Sequence, residues 1–282
     1  MSFQKLKGLS RNKMSLFGML MILIIILSAI LAPFLPLQDP NEQKYMELFS
    51  PPSLDHPLGT DQYGRSMLSR VIFGSRYALL VGVAVVGIEV VIGVTLGLVA
   101  GFYGGIIETV IMRINDVMLS IPAMVLALAI AGFLGGGLIN VIIAVGIIGW
   151  RGYTRLIRSE VLSIREETYV EAANATGCGD LHIMRSHILP NTVSSFLVYT
   201  TLQIPAAILW AAGLSFLGLG AQPPTPEWGA MLAEGRDFIR QAWWITTFPG
   251  LAIMLTVLSF NFVGDGLRDL LDPRAKSRMG EA

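Results

Sequence analysis

Charge is the scarcest commodity in this 282-residue chain: only 14% of its residues are Asp, Glu, Lys or Arg. Soluble domains average about 25%, so too few charged side chains are present to cover a globule in water. Net charge is zero, which removes the basic excess expected of a nucleic-acid binder. One cysteine, Cys178, excludes an intramolecular disulfide and any multi-cysteine zinc site. The three histidines, His56, His182 and His187, are scattered through polar stretches and read as surface residues, so no metal is expected. Lysine occurs only at 5, 7, 13, 44 and 276, never after a glycine. A phosphate-cradling loop needs Gly-Lys-Ser/Thr, so the chain is not expected to hydrolyse ATP, and no catalytic residue is assigned.

Long apolar runs are abundant instead. Hydrophobic residues make up 53% of the chain and mean hydropathy is +0.63. A helix crossing the hydrocarbon core needs about 20 apolar residues. Such runs fall at Leu16–Leu35, Tyr77–Phe102, Thr109–Leu134, Leu138–Ile157, Thr192–Leu219 and Thr246–Leu267. The expected fold is therefore an all-α integral membrane protein of about six transmembrane helices. The first run exceeds the ~7–15 apolar residues of a cleaved signal peptide and is read as a retained span. "GFYGG" between the second and third runs predicts a tight turn. Gly93, Gly97 and Gly101 form a small-xxx-small stripe that permits close helix contact.

Lys and Arg set the orientation. With the N-terminus in the cytoplasm, 20 such residues divide so that only Lys44, Arg65, Arg70, Arg76, Arg236 and Arg240 lie outside. Both termini then face the cytoplasm. Three arginines in the segment before the second run sit badly with this assignment, although long loops weigh little in the rule.

On that topology the longest cytoplasmic connection is 163–191, containing "YVEAANATGCGDLHIMRSHILPN". Ser163 and Glu166 have capping-box spacing, predicting a helix from there through Ala175, closed by Gly177 in a left-handed cap. Tyr169, Ala172, Ala173 and Thr176 share one face, mostly of small side chains, suited to docking in a groove of another protein. A second short helix, Asp180 to Ile188, is expected to stop at Leu189 because Pro190 disfavours helix in the residue before it.

Glu171-Ala172-Ala173, three residues, Gly177, and then Leu189-Pro190 resemble the EAA loop of ABC-importer permeases. His187 stands where the family usually has Ile, with Ile188 next to it, a form similar to that of the peptide and nickel subgroup. "HPLGTDQYGRSMLSRVIFGSR" (56–76), "LSFLGLGAQPPTPEWGAML" (214–232) and "NFVGDGLRDLLDPR" (261–274) are similar to signature stretches of the C-type permease subunit of dipeptide, oligopeptide and nickel importers.

The resemblance implies a type I ABC-importer permease fold in a bacterial or archaeal cytoplasmic (inner) membrane. It further implies a heterodimer with a homologous second permease, two cytoplasmic ATPase subunits that use the ATP and magnesium, and an extracytoplasmic substrate-binding protein. Tyr169, Glu171, Ala172, Ala173, Thr176, Gly177, Ile188, Leu189 and Pro190 would form the ATPase-coupling loop. The implied organisation is a tail, first span and loop start (1–55), an extracytoplasmic segment (56–76), the permease core (77–270) and a cytoplasmic tail (271–282). Cargo could be a di- or oligopeptide, nickel, a metal–chelator complex or a glutathione-like molecule; sparse polar groups within the spans favour a larger organic one.

Glu89 is a mid-span carboxylate, costly in lipid and so a pathway candidate, with Asp116 and Arg113 as expected polar neighbours. Trp228, Trp243 and Trp244 suit the membrane interface. A membrane serine hydrolase at Ser215 is excluded because no span carries a histidine. An ion-coupled secondary transporter would call for inverted repeats, which the sequence lacks, and would leave the loop without a task.

Overall fold

The computed structural model describes residues 13–271. The terminal lysines and arginines and the 272–282 part of the C-terminal tail lie outside the described residues. Ten α-helices follow in order: α1 (Lys13–Leu31), α2 (Met67–Tyr103), α3 (Gly105–Ser120), α4 (Ala123–Leu134), α5 (Leu138–Ile164), α6 (Thr168–Ala175), α7 (Asp180–Ile183), α8 (Leu189–Phe216), α9 (Trp228–Gly235) and α10 (Trp244–Leu271). No strand occurs among the described residues, only one isolated bridge between Thr60 and Ser66.

Among the described residues, four helical stretches are long and apolar enough to cross a membrane: Lys13–Phe34, Met67–Tyr103, Asp180–Phe216 and Trp244–Leu270. The expected third span, 109–134, is broken: α3 and α4 meet at 92° around Ile121–Pro122. Taken as one bent unit, the pair makes a fifth span by length and composition. The expected fourth span, 138–157, is the first part of α5, whose 27 residues carry Arg151, Arg155 and Arg158. Those arginines make α5 less apolar than the four long stretches.

Helix α2 is the axis of the molecule. Its 37 residues extend about 55 Å at 1.5 Å per residue, well beyond a hydrocarbon core of about 30 Å. It packs along α5, and the glycine stripe explains how. A Cβ at Gly93 would stand 2.4 Å from Tyr153 Cβ, at Gly97 2.8 Å from Ile157 Cβ, and at Gly101 2.7 Å from Val161 Cβ. The two backbones touch because no side chain intervenes. α1 lies against α10 and α2: Ser15 donates to Phe262 O (3.1 Å) and Ser28 to Ser75 Oγ (3.2 Å). It is an integral member of the bundle.

Side chains pointing away from the bundle remain apolar. Leu20, Leu23 and Leu27 on α1 and Ile106, Ile114 and Val117 on α3 are all exposed, as lipid- or subunit-facing surfaces must be. Inside, three apolar clusters form. One joins α2, α4, α5 and α8 around Val85, Val141, Tyr153 and Leu214. A second surrounds Met67, Trp228, Met231 and Trp244. The third seats the 163–191 connection on the ends of α2 and α5.

Candidate functional site

The 163–191 connection departs from its expected helix boundaries in three ways. First, Ser163 caps nothing: it lies in the last turn of α5, which continues to Ile164. α6 starts at Thr168 after Glu167, with no side-chain cap. Second, the small-residue face is divided. Val170 and Ala173 point inward against Ile157, Val161, Ile183 and Ile188, whereas Tyr169, Glu171, Ala172 and Thr176 are exposed. Burying Val170 costs nothing polar, so its burial sets the roll of the helix. Third, Pro190 does not stop the chain.

Instead of stopping, Asp180–Ile183 passes through a π-helical turn, Met184–Ile188, directly into α8. Proline has no N–H for the Ser186 carbonyl, and in an α-helix its ring would press on that carbonyl. Widening the turn removes the clash, and Leu189 N–H bonds Met184 O instead.

Gly177 behaves as expected. With φ +79° its N–H reaches Asn174 O (3.0 Å), and Cys178 N–H reaches Ala173 O (3.1 Å). These are the paired bonds of a Schellman cap. Thr176 Oγ1 donates toward Ala172 O and Ala173 O. Asn191 Nδ2 ties the start of α8 back to Tyr169 Oη (3.1 Å) and to His187 O (2.6 Å). The result is a short helix, apolar below and polar above, clamped at both ends onto the bundle.

A second polar feature lies within the bundle. Glu89 on α2 is 5% exposed and lines a cavity of ≈ 220 Å³ with Arg151 and Gly149 of α5 and Tyr199 and Gln203 of α8. Its expected neighbours are elsewhere. Asp116 pairs with Arg155 at 2.6 Å on an exposed surface, and Arg113 lines a separate recess with Glu108 and Arg158.

Arg151, unassigned at sequence level, holds the broken pair. Its Nη1 donates to Met118 O (2.5 Å) and its Nε to Ile148 O (2.7 Å). Met118 O is the acceptor that Pro122, lacking an N–H, leaves empty. Asn115 Nδ2 in turn donates to Arg151 O (3.0 Å). The only sequence signal for this was a proline in a span with polar residues near its start.

Two of the three awkward arginines in 56–76 are not mobile loop charges. Arg65 and Arg70 are each 1% exposed. Arg65 bonds Asp61 (2.5 Å) and Glu234 (2.7 Å), while Arg70 lies 3.7 Å and 3.5 Å from the same carboxylates. Arg70 Nη1 also reaches Pro40 O and Pro224 O, both at 3.1 Å. Four segments distant in sequence are thus stapled by one buried cluster. The i,i+4 spacing of Asp61 and Arg65 could have announced its first half; Glu234 could not be foreseen.

Trp228 and Trp244 are buried within the chain. Their indole N–H groups donate to Val71 O and Thr60 O, each at 2.9 Å, and only Trp243 is half-exposed. Glu227 caps α9 through Gly229 N–H and Ala230 N–H (both 2.9 Å).

Comparison with known proteins places this architecture. Residues 93–277 match the family model described as the inner membrane component of binding-protein-dependent transport systems. Residues 5–52 match the N-terminal transmembrane domain of oligopeptide transport permease C. The di/tripeptide transport system permease protein DppC of Pseudomonas aeruginosa is 46% identical over 96% of this chain and 91% of the relative. The dipeptide permease DppC of Alkalihalophilus pseudofirmus is 46% identical over 96% and 89%. The glutathione permease GsiD of Pectobacterium atrosepticum is 44% identical over 95% and 89%. A structure of the inward-facing MetNI methionine ABC transporter matches in fold, with TM-score 0.58 and 19% identity over 73% of this chain and 98% of the solved one. With two family models and near full-length relatives in agreement, the chain belongs to the inner membrane components of binding-protein-dependent transport systems.

Proposed function

We propose that this chain is one half of the membrane channel of an ATP-driven importer of di- and tripeptides. The observation that carries the cargo assignment is the near full-length identity, 41–46%, to relatives named as di- or tripeptide permeases. The chain is a transport component; hydrolysis belongs to separate ATPase subunits, which use ATP and magnesium. A homologous permease completes the channel, and a substrate-binding protein delivers cargo on the side of the Asp61–Arg65–Arg70–Glu234 cluster. Both termini are cytoplasmic in the inner membrane, an assignment supported by the arginine distribution once Arg65 and Arg70 are recognised as buried and paired.

In this reading α6 is the coupling helix. Glu171, Ala172 and Thr176, with Tyr169, face an ATPase groove, while Val170 and Ala173 fasten the helix to the ends of α2 and α5. Gly177, Ile188, Leu189 and Pro190 set its attachment: the Schellman turn closes one end and the π turn transmits displacement into α8. Coupling requires an element whose two positions both sites bias. A buried underside makes α6 and the end of α5 move as one body. Glu89 lines the cargo route; Asp116, paired with Arg155, stays at its margin.

The test is reconstitution of this chain with its genome-neighbour permease, ATPases and binding protein in proteoliposomes. Expected is ATP-dependent uptake of labelled di- and tripeptides that requires every subunit. Uptake of nickel with exclusion of peptides would refute the cargo. Uptake by this chain alone under an ion gradient would refute the class.

A further inference from the structure

Within the bundle, Glu89 is a carboxylate with an unpaired oxygen. Its Oε2 is buried and has no hydrogen-bond partner. A buried charge is retained only where something compensates it, and inside a membrane such a group is by default functional. The facing wall is recessed to admit it. A Cβ at Gly149 would lie 1.7 Å from Glu89 Oε1, and a Cβ at Gly152 2.0 Å from Tyr199 Oη. Two glycines on α5 thus leave space for two polar groups from α2 and α8.

Arg151 shares the cavity, and its Nε and Nη1 donate to Ile148 O and Met118 O, which fixes where the guanidinium lies. Gln203 Nε2 donates to Tyr199 Oη (2.7 Å). The acceptors left without a partner are Glu89 Oε2 and the Gln203 carbonyl oxygen. A ligand group that satisfies these two oxygens brings N–H donors. The volume, ≈ 220 Å³, is below the roughly 300 Å³ of ordinary ligand pockets, so one end of a molecule fits rather than the whole.

We infer that the Glu89 cavity is a transit subsite for the free α-ammonium group of a short peptide. The inference rests on the di/tripeptide reading above. Glu89 accepts from the ammonium, Gln203 supplies a second oxygen, and Arg151, held by its two carbonyl partners, makes no hydrogen bond to the carboxylate.

The test uses the complete importer, both permeases and both ATPases, in nanodiscs without the binding protein. Alanyl-alanine and N-acetyl-alanyl-alanine are the probes, followed by ligand-observed saturation-transfer NMR. Expected is binding of alanyl-alanine roughly tenfold or more tighter than of the acetylated peptide, the weight of one charge-assisted hydrogen bond. Glu89→Gln should remove about that factor and with it the discrimination, while the ATPases still co-purify. Should that variant fail to assemble, Gln203→Leu on the facing helix is expected to give a several-fold loss. Equal binding of both peptides, undiminished affinity in an assembled variant, or no binding by an importer that still transports peptides would each overturn the subsite and leave the proposed function standing. An importer that takes up no peptide with its binding protein present would overturn both.

Discussion

At Gly177 and Glu227 single residues decide the ends of helices. Gly177 holds φ +79° with no atom near its missing Cβ, so a replacement there meets backbone strain and no clash. An L-residue in that region costs roughly 1–2 kcal/mol, more with a β-branch. Gly177→Val is therefore expected to fray the Schellman cap and lower peptide-stimulated ATP hydrolysis several-fold. Gly179→Ala, at φ −70° in open space, should leave it unchanged; equal rates in the two variants would refute the role of the cap. Glu227 combines a cap with deep burial, and burial raises its carboxyl pKa above the ordinary range despite the two backbone N–H bonds. A raised folded-state pKa means that the folded protein holds the proton more tightly. Its contribution to stability is full below the unfolded pKa and declines as pH rises through the folded one. Glu227→Gln keeps one acceptor and removes the ionisation, so its melting temperature should gain on the wild type as buffer moves from acidic to mildly basic. Glu227→Ala loses the cap, at about 1 kcal/mol, at every pH.

Among the elements, breaks do as much as helices. Pro122 and Pro190 each remove an N–H, and the chain answers them differently: Arg151 fills the vacancy at Met118 O, whereas a π turn absorbs Pro190. Pro190→Ala restores the donor for Ser186 O and permits an ordinary α-turn. Losing the wide turn rotates everything before it relative to α8 by part of a turn, so α6 is re-aimed while its own helix is intact. Expected is normal membrane insertion with peptide uptake reduced about tenfold; full uptake would show that the π turn is incidental. Both prolines were visible in the sequence, and neither outcome was. Whether a proline stops, bends or merely widens a helix depends on what supplies the missing donor, here a guanidinium 33 residues away.

As a whole molecule, the described residues show large apolar surfaces and one short helix, α6, fastened by its apolar underside with Glu171 on its exposed face. Glu171→Lys reverses charge at the proposed ATPase contact without touching the buried Val170–Ala173 footing, so the fraction of permease that captures ATPase should fall several-fold at unchanged expression. Undiminished capture would move the contact elsewhere. The buried Asp61–Arg65–Arg70–Glu234 cluster belongs to this scale too, because it binds the Pro40 loop, α2, the Pro224 loop and α9 into one cap. Removing one partner of such a cluster costs about 3–5 kcal/mol.

What the residues alone determined was the class: scarce charge and long apolar runs leave a chain no state but a helical one in lipid, where every backbone group must be satisfied within its own segment. The order of the spans, the glycine stripe and the Gly177 cap followed likewise from local rules. The tertiary structure alone decided which way α6 rolls, what Arg151 and Glu234 hold, and that Trp228 and Trp244 are interior. Each of those depends on a partner far along the chain, and periodicity carries no information about which distant group will fill a particular vacancy.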